Sequence, residues 1–229
     1  MKKIFIITGE PSGDKLASTV ILKLKKQNPD IEYLSVGGAH IKKLGIQSIF
    51  DLKGIYYMPG VIKASKLGDA AIIKSIIKIL DKEGVKVISS IFFNPELAVN
   101  VGTYTKLKPS TEDVKSIKKG IKYFTGLNEL DHVQAIIVKD SKILAVEGRQ
   151  GTKVMLSKIK KKTGGILIKL PKKKQDLRMD LPTIGLKTLK DCKKYGLKGI
   201  VLKSKKNIFL DKTKCISFAN KNKIFIKAI

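Results

Sequence analysis

A long polar segment, residues 169–185, interrupts the apolar pattern of this 229-residue chain with side chains that packing does not require. It contains Arg178, which could pair with two phosphate oxygens at once, and Asp180, which could bind a divalent cation or accept a proton from water. The helix predicted to follow would add the positive field of its N-terminus. These residue types are suited to a diphosphate. The alternative, which stays open, is a solvated loop in which Thr183 caps that helix and Arg178 pairs with Asp180 on the surface.

A second polar segment, Glu147 to Thr152, lies where a predicted strand runs into a predicted helix. Its Gly148 and Gly151 would let the backbone approach a ligand closely, and the amides at the helix start could hold a phosphate. The same pattern is typical of an ordinary turn. The segment taken alone therefore does not decide between a site and a turn.

A third segment, residues 131–134, precedes a predicted hairpin, and its Asp131 and Gln134 could form a polar floor for a ligand. His132 is better explained as a surface or capping residue, because His40 lies far away in the opening unit and no metal-ligand spacing joins the two histidines. No serine or cysteine lies in a nucleophile-elbow sequence. The residues therefore point to metal-assisted hydrolysis or to binding alone.

The N-terminal elements follow the pattern of an α/β protein, in which apolar runs predict strands and apolar spacing near 3.6 residues predicts helices. The predicted elements are strands at 3–8 and 31–36, a helix at 15–27 after a loop at 9–14, and a helix at 67–83 capped by Gly84. They predict a β-α-β unit of the parallel-sheet kind.

The C-terminal elements continue this alternation. Ser110 and Asp113 have the spacing of a capping box and predict the start of a helix that reaches about Gly126. Further predicted elements are a hairpin with strands at 133–138 and 143–147, helices at 152–160 and 186–195, strands at 166–170 and 199–202, and a strand-helix-strand series at 207–229. We predict a Rossmann-like N-terminal β-α-β region followed by a second α/β domain with a mixed sheet, and we place the domain boundary between residues 128 and 129.

The composition limits the classes of partner. With 43% hydrophobic residues the chain can bury a core, and because no run approaches the roughly 18 apolar residues of a membrane helix, we expect a cytoplasmic protein. The net charge of +28 would suit nucleic acid, but Arg149 and Arg178 are the only arginines, and a chain almost without arginine is poorly equipped to read bases and to bind phosphates bidentately. We expect no nucleic-acid partner, with a basic binding module as the alternative. The lysines could instead hold the protein near an anionic membrane surface. Cys192 and Cys215 are predicted to be buried thiols.

The three polar segments, in this order, resemble a known family. Residues 131–138, 143–156 and 175–185, the last reading QDLRMDLPTIG, resemble the C-terminal domain of the metal-dependent UDP-2,3-diacylglucosamine pyrophosphatases. Residues 67–70 and 109–113 are similar to the second half of that family's N-terminal domain. The resemblance thus extends over residues 67–229.

The resemblance implies a Gram-negative bacterial hydrolase of lipid A biosynthesis that cleaves the lipid-linked UDP-sugar UDP-2,3-diacylglucosamine to UMP and 2,3-diacylglucosamine 1-phosphate, with Mg2+ as its metal. It implies that Asp180 is the catalytic aspartate and metal ligand, and that Arg178 offsets the developing charge. The pocket would be lined by Glu147, Gly151, Thr152, Gln175 and Thr183 and supported by Asp131 and Gln134. Such an enzyme would be cytoplasmic, or peripheral on the cytoplasmic face of the inner membrane, with a homodimer left open.

The first 60 residues follow a different pattern. Gly9 to Asp14, Val36 to Gly38 and the stretch from Gly45 to Met58 resemble the N-terminal piece of lipid-A-disaccharide synthase, a glycosyltransferase that uses the same UDP-sugar. We therefore keep two alternatives to the pyrophosphatase: a fragment related to that synthase, and an inactive fusion of the two. The Gly9 to Asp14 loop could be a structural turn or part of a working site.

Overall fold

The computed structural model describes residues 3–8, 11–49, 77–82, 84, 87–127, 133–159, 163–172, 176–178 and 181–229. Asp131, Gln175 and Asp180 of the predicted site lie outside these residues, as does His132. The chain divides into two compact units, Met1–Asn94 and Pro95–Ile229.

The first unit opens with the predicted β-α-β arrangement. Strand β1 (Lys3–Ile7) pairs in parallel with strand β2 (Glu32–Val36), and helix α1 (Pro11–Gln27) connects them. A short helix, α2 (Ala39–Lys42), follows β2. The small core between helices and strands contains Ile21, Ile41 and Ile46, with Ile6, Ala17, Tyr33 and Leu44 packed against it.

Helix α1 begins at Pro11, so the loop predicted for residues 9–14 is wrong for residues 11–14. Proline is favoured at the first helical position, because its φ suits a helix and its missing N–H is not needed there. The early start puts Asp14 inside the helix, where it is buried. Its carboxylate accepts hydrogen bonds from the backbone N–H of Gly38, at 2.6 Å, and of His40, at 2.7 Å. Asp14 therefore stabilises the start of α2.

The end of the predicted helix at 67–83 is partly within the described residues. Residues 77–82 are helical, and Gly84 has a φ of 70°, the left-handed conformation expected of a C-terminal cap. Residues 67–76 and 83 lie outside the described residues. A short helix, α3 (Ser90–Phe93), comes near the end of this unit.

The second unit alternates between helices and strands. Its helices are α4 (Thr111–Gly126), α5 (Thr152–Ser157), α6 (Leu186–Lys194) and α7 (Lys212–Lys221), and a 3-10 turn, Pro95–Leu97, precedes them. Its strands are β3 (Gly102–Thr103), β4 (Ala135–Lys139), β5 (Lys142–Val146), β6 (Ile166–Lys169), β7 (Thr183–Ile184), β8 (Gly199–Leu202), β9 (Ile208–Phe209) and β10 (Phe225–Ala228). The helices and strands predicted from residue 110 onward are confirmed, with small differences at their ends.

Within the described residues, six of these strands form one sheet in the order β3-β10-β8-β6-β4-β5. Strands β6, β8 and β10 are parallel, whereas the β4-β5, β4-β6 and β3-β10 pairs are antiparallel. Strands β7 and β9 form a separate parallel pair. The main sheet is therefore mixed, as predicted.

Different helices cover the two faces of this sheet, because successive side chains of a strand point to opposite faces. On one face Ile137, Leu167 and Ile200 belong to a core with Met155 of α5, Leu189 of α6 and Ala219 of α7. On the other face Ile136, Ile168 and Val201 belong to a core with Ile117 of α4. The candidate segments are thus attached to a sheet that is buried on both sides.

Helix α4 begins with the predicted capping box. The Ser110 hydroxyl oxygen accepts a hydrogen bond from the Asp113 N–H, at 3.2 Å, and the Asp113 carboxylate accepts one from the Ser110 N–H, at 3.0 Å. Asp113 also forms an ion pair of 2.6 Å with Lys198, which precedes β8. The cap therefore joins the start of α4 to the sheet.

The packing of α4 explains why the structural division differs from the predicted boundary at 128/129. A Cβ atom built at Gly120 would lie 2.6 Å from side-chain carbons of Ile168 and Val138, so the helix lies very close to β6 and β4. A helix packed this tightly belongs with the sheet it covers. Helix α4 accordingly belongs to the second unit, Pro95–Ile229.

The predictions made from composition concern the cysteines and membrane segments. Cys192 and Cys215 are thiols buried in the core, as predicted, and burial raises the pKa of the Cys192 thiol to about 12. In the part of the chain that the structure describes, no helix has the length and apolar character needed to cross a membrane.

Candidate functional site

The predicted polar segments meet at one edge of the main sheet. Strand register places Ala135, Lys169, Leu202 and Ala228 in a row across β4, β6, β8 and β10, and the N–H of Glu147, directly after β5, donates to the carbonyl of Ala135 at 2.9 Å. We call this row the carboxyl edge, because four of the five strands end there. Glu147 directly follows the end of β5, and Gln134 directly precedes the start of β4. The loop with Arg178 begins after the end of β6. Segments far apart in sequence are therefore neighbours in the fold.

Glu147 joins two of the segments through its carboxylate. It is only 6% exposed, and its Oε2 accepts a hydrogen bond of 2.6 Å from the backbone N–H of Gln134. Its Oε1 accepts a hydrogen bond of 2.5 Å from the hydroxyl of Thr152. A buried carboxylate is stable only when it is hydrogen-bonded, and here both oxygens are. Glu147 thereby holds the start of β4 against the start of α5.

Gly151 makes the turn between these two residues. It has φ 83° and ψ 174°, a conformation essentially restricted to glycine, and it occupies the N-cap position of α5. The turn directs the Thr152 hydroxyl back toward Glu147. Because α5 spans only six residues, the junction contributes an oriented hydroxyl and a close backbone approach more than a helix dipole.

Gln134 connects the Glu147 junction to the long polar loop. Its backbone carbonyl accepts a hydrogen bond of 2.9 Å from the N–H of Leu170, the first residue after β6. Thr152, Glu147, Gln134 and Leu170 therefore form one continuous series of contacts along the carboxyl edge. This series brings the three predicted segments together.

Arg178 lies in that loop and pairs with Asp176, whereas the alternative pairing with Asp180 lies outside the described residues. Its Nε donates to both carboxylate oxygens of Asp176, at 3.1 and 3.2 Å, and its Nη2 donates to Oδ2 at 2.9 Å. The backbone N–H of Arg178 also donates to Asp176, at 3.0 Å. This pairing orients the guanidinium group, so a phosphate bound here would meet a cation that is already positioned.

Thr183 contributes to the far end of the same loop. Its hydroxyl donates a hydrogen bond of 3.0 Å to the carbonyl of Leu181, and its strand β7 pairs with β9. The N-cap position of α6 is occupied by Gly185, without a side-chain hydrogen bond. The interpretation of Thr183 as a helix cap is therefore wrong.

Asn207 is a residue at this edge that sequence reasoning missed. It is fully buried in the connection between β8 and β9, and its amide contacts three backbone groups. The signal that could have found it is an asparagine in a short polar connection, where its side chain can replace backbone hydrogen bonds. The same connection contains exposed Lys203, Lys205 and Lys206, which place positive charge beside the edge.

The described residues do not by themselves form a metal centre. Among them, no group of three histidine, cysteine or carboxylate side chains could hold a metal ion. Both oxygens of Glu147 accept hydrogen bonds within the protein, and both oxygens of Asp176 face Arg178. The predicted ligand Asp180 lies outside the described residues, and so Mg2+ binding stays a prediction.

Fold and site together define an α/β domain with a polar site at the carboxyl edge of a mixed sheet, the usual place for ligands in such sheets. Residues 100–227 match the family described as LpxI C-terminal domain. This match covers more than half of the chain, and the chain belongs to that family.

Individual relatives agree with this assignment. The chain is 28% identical over 189 residues to the UDP-2,3-diacylglucosamine pyrophosphatase LpxI of Caulobacter vibrioides, a match that covers 78% of this chain and 68% of the relative. The family resemblance predicted from the polar segments is therefore confirmed.

The first unit has different relatives. Residues 4–88 match the family described as Lipid-A-disaccharide synthetase. The lipid-A-disaccharide synthase of Alteromonas mediterranea is 33% identical over 73 residues, and that of Vibrio cholerae is 38% identical over 56 residues. These matches cover 28% and 24% of this chain but only 19% and 15% of the two synthases. The predicted resemblance of the opening residues to that enzyme is also confirmed.

Proposed function

We propose that this protein hydrolyses the pyrophosphate of UDP-2,3-diacylglucosamine, giving UMP and 2,3-diacylglucosamine 1-phosphate in lipid A biosynthesis. Membership of the LpxI C-terminal domain family and the Caulobacter vibrioides relative support the reaction. The observation that carries the proposal is the contact series from Thr152 through Glu147 and Gln134 to Leu170. It gathers the polar segments at the edge where α/β proteins bind phosphate-bearing ligands.

The described contacts suggest distinct roles for the site residues. Glu147 positions the Thr152 hydroxyl and the Gln134 backbone, and Gly151 lets the backbone approach the substrate. Arg178, oriented by Asp176, would offset charge that develops on phosphorus-bound oxygens. Among the remaining predicted residues, Gln175, Thr183 and Asp131 are proposed to complete the pocket.

Asp180 is the proposed catalytic aspartate, which would accept a proton from the attacking water. We also propose that it is a ligand of Mg2+, a cation that offsets phosphate charge and activates water when bound. Asp180 and Pro182 belong to the same short stretch of chain, and the carbonyl of Pro182 is hydrogen-bonded at the carboxyl edge. This proximity in sequence supports Asp180 as a member of the proposed site.

A lipid-linked substrate implies that the protein binds it at a membrane surface. The net charge of +28 supports a peripheral location on the anionic, cytoplasmic face of an inner membrane, since each lysine near such a surface contributes on the order of 1 kcal/mol. A Gram-negative source is part of the same proposal. A homodimer stays open.

The match of residues 4–88 to the disaccharide synthetase family favours a second candidate, a synthase-related glycosyltransferase. The small share of those enzymes that the chain covers makes it the weaker one. One incubation separates the candidates. Purified protein receives UDP-2,3-diacylglucosamine, Mg2+ and 2,3-diacylglucosamine 1-phosphate, and the products are identified by mass spectrometry.

Formation of UMP would support the pyrophosphatase. A lipid disaccharide without UMP would support the glycosyltransferase. If neither product forms, the chain is an inactive fusion of the two enzymes. That result would end the proposal.

A further inference from the structure

The loop that carries Arg178 and Asp180 leaves the carboxyl edge after Lys169 and returns to it at Pro182. The side chain of Asn207 contacts both of these points. Its Nδ2 donates to the carbonyl of Lys169 at 3.2 Å and to the carbonyl of Pro182 at 3.1 Å. One amide group therefore holds the departing and the returning ends of the loop together.

The third contact of Asn207 fixes the amide itself. Its Oδ1 accepts a hydrogen bond of 2.8 Å from the backbone N–H of Lys203, the residue after β8. With an N–H on one side and two carbonyls on the other, only one orientation of the amide satisfies all three groups. The Asn207 side chain is fully buried, so bulk water does not contact its amide in this structure.

Neighbouring contacts also fix the returning end to β9. The backbone N–H of Ile208 also donates to the Pro182 carbonyl, at 3.0 Å, and β7 and β9 pair directly afterwards. No comparable backbone pairing joins Lys169 to Pro182 among the described contacts. Asn207 thus supplies the cross-link that a regular ladder does not provide at this point.

We infer that Asn207 is a positioning residue that sets the placement of the Arg178 and Asp180 loop without touching the substrate. The inference rests on the proposed function for its effect on catalysis. A small displacement of groups at a reacting centre can reduce a rate by on the order of 100-fold. Loss of a cross-link between the two loop ends can therefore lower the rate.

The test compares Asn207→Asp with a matched control, Thr105→Val. The aspartate has nearly the size of asparagine but turns lone pairs toward the two carbonyls. Thr105 is also buried, and its hydroxyl donates to the Leu107 carbonyl at 2.9 Å and accepts from the Ile226 N–H at 3.0 Å, so valine removes similar backbone contacts elsewhere in this unit. Asn207→Ser, which keeps one donor, serves as a second variant if the aspartate does not fold.

Two readouts keep this inference separate from the proposed function. Hydrogen–deuterium exchange without substrate should rise in peptides that cover residues 169–182 in the Asn207 variants and stay unchanged there in Thr105→Val. If the wild-type protein releases UMP, the folded Asn207 variant should lose about 10- to 100-fold in kcat with little change in KM, whereas Thr105→Val should keep its kcat.

Unchanged exchange at 169–182 in a folded Asn207 variant would overturn the inference, whatever the wild-type activity. An equal loss of kcat in Thr105→Val would also overturn it, because the effect would then reflect stability alone. Absence of UMP release by the wild-type protein, with raised exchange in the variant, would contradict the proposed function and leave the positioning role supported.

Discussion

The hydroxyl of Thr152 donates a hydrogen bond of 2.5 Å to Oε1 of Glu147, a carboxylate that is buried at the end of β5. The other carboxylate oxygen is occupied by the N–H of Gln134. Glu147 therefore acts within the protein as the acceptor that connects two polar segments. A change at Thr152 should be transmitted to the site through this carboxylate.

Thr152→Val should lower the free energy of unfolding by about 1–2 kcal/mol, because it leaves an oxygen of a buried carboxylate without its donor. It should also lower kcat/KM for UMP release by about tenfold, which corresponds to a similar free energy. Thr152→Ser keeps the hydroxyl and should stay close to the wild type. Urea unfolding and initial rates measure both effects. Equal losses in the serine and valine variants would contradict a role for the hydroxyl.

Gly151→Ala should destabilise the protein by about 1–3 kcal/mol, because alanine must adopt the φ of 83° and ψ of 174° found at this position. An added Cβ would meet no atom within 4 Å, so the cost would come from the backbone and not from crowding. Gly148→Ala is the matched control, since Gly148 also has open space but no positive φ. Urea midpoints of the two variants should differ clearly. Equal midpoints would show that the turn relaxes at no cost.

Asp113 should make stability depend on acidity. Burial alone would raise the pKa of its carboxyl, but hydrogen bonds from Lys198 and Ser110 and the charge of Lys198 outweigh burial and hold the pKa below its ordinary value. The ionised form is therefore stabilised by folding. Its contribution is complete above the ordinary aspartate pKa of about 3.9 and is lost as the pH falls through the lower pKa of the folded state.

Asp113→Asn should lower the free energy of unfolding at neutral pH by about 1–2 kcal/mol and should flatten its decline on acidification. Glu112→Gln, one residue earlier and exposed, should keep the wild-type acid dependence. Urea unfolding at a series of pH values measures both slopes. An asparagine variant with the full acid dependence would show that other carboxyl groups cause it.

Much of the second unit could be predicted because its helix caps and apolar runs are formed by residues close together in sequence. Ser110 and Asp113 are close enough in sequence to show the cap, and the short apolar run at Gly199–Leu202 gave the bounds of β8 correctly. The start of α1 was missed because Gly13 argues against a helix by propensity. The contacts that Asp14 makes from inside α1 with Gly38 and His40 depend on the folded chain.

In the candidate site, too, contacts between residues distant in sequence could not be predicted. The polar Glu147 to Thr152 and Gln134 segments could be recognised because they interrupt an apolar pattern, but their meeting depends on strand register. The pairing of Arg178 with Asp176 was not predicted, because it depends on the backbone turn that brings this carboxylate to the guanidinium. Asn207 escaped notice because the carbonyls it contacts are distant in sequence.

The most direct test of the proposed function is the rate of UMP release from UDP-2,3-diacylglucosamine in the presence of Mg2+, compared between wild type, Asp180→Asn and Asp140→Asn. Asp140 lies in the β4-β5 turn, at the other end of these strands from the carboxyl edge, and its φ of 47° is one that asparagine tolerates. The control variant should therefore keep the wild-type rate. Loss of the carboxylate of Asp180, the proposed catalytic aspartate, should reduce the rate by on the order of 100-fold or more. A folded Asp180→Asn variant that releases UMP at the wild-type rate, or a wild-type protein that releases none, would contradict the account.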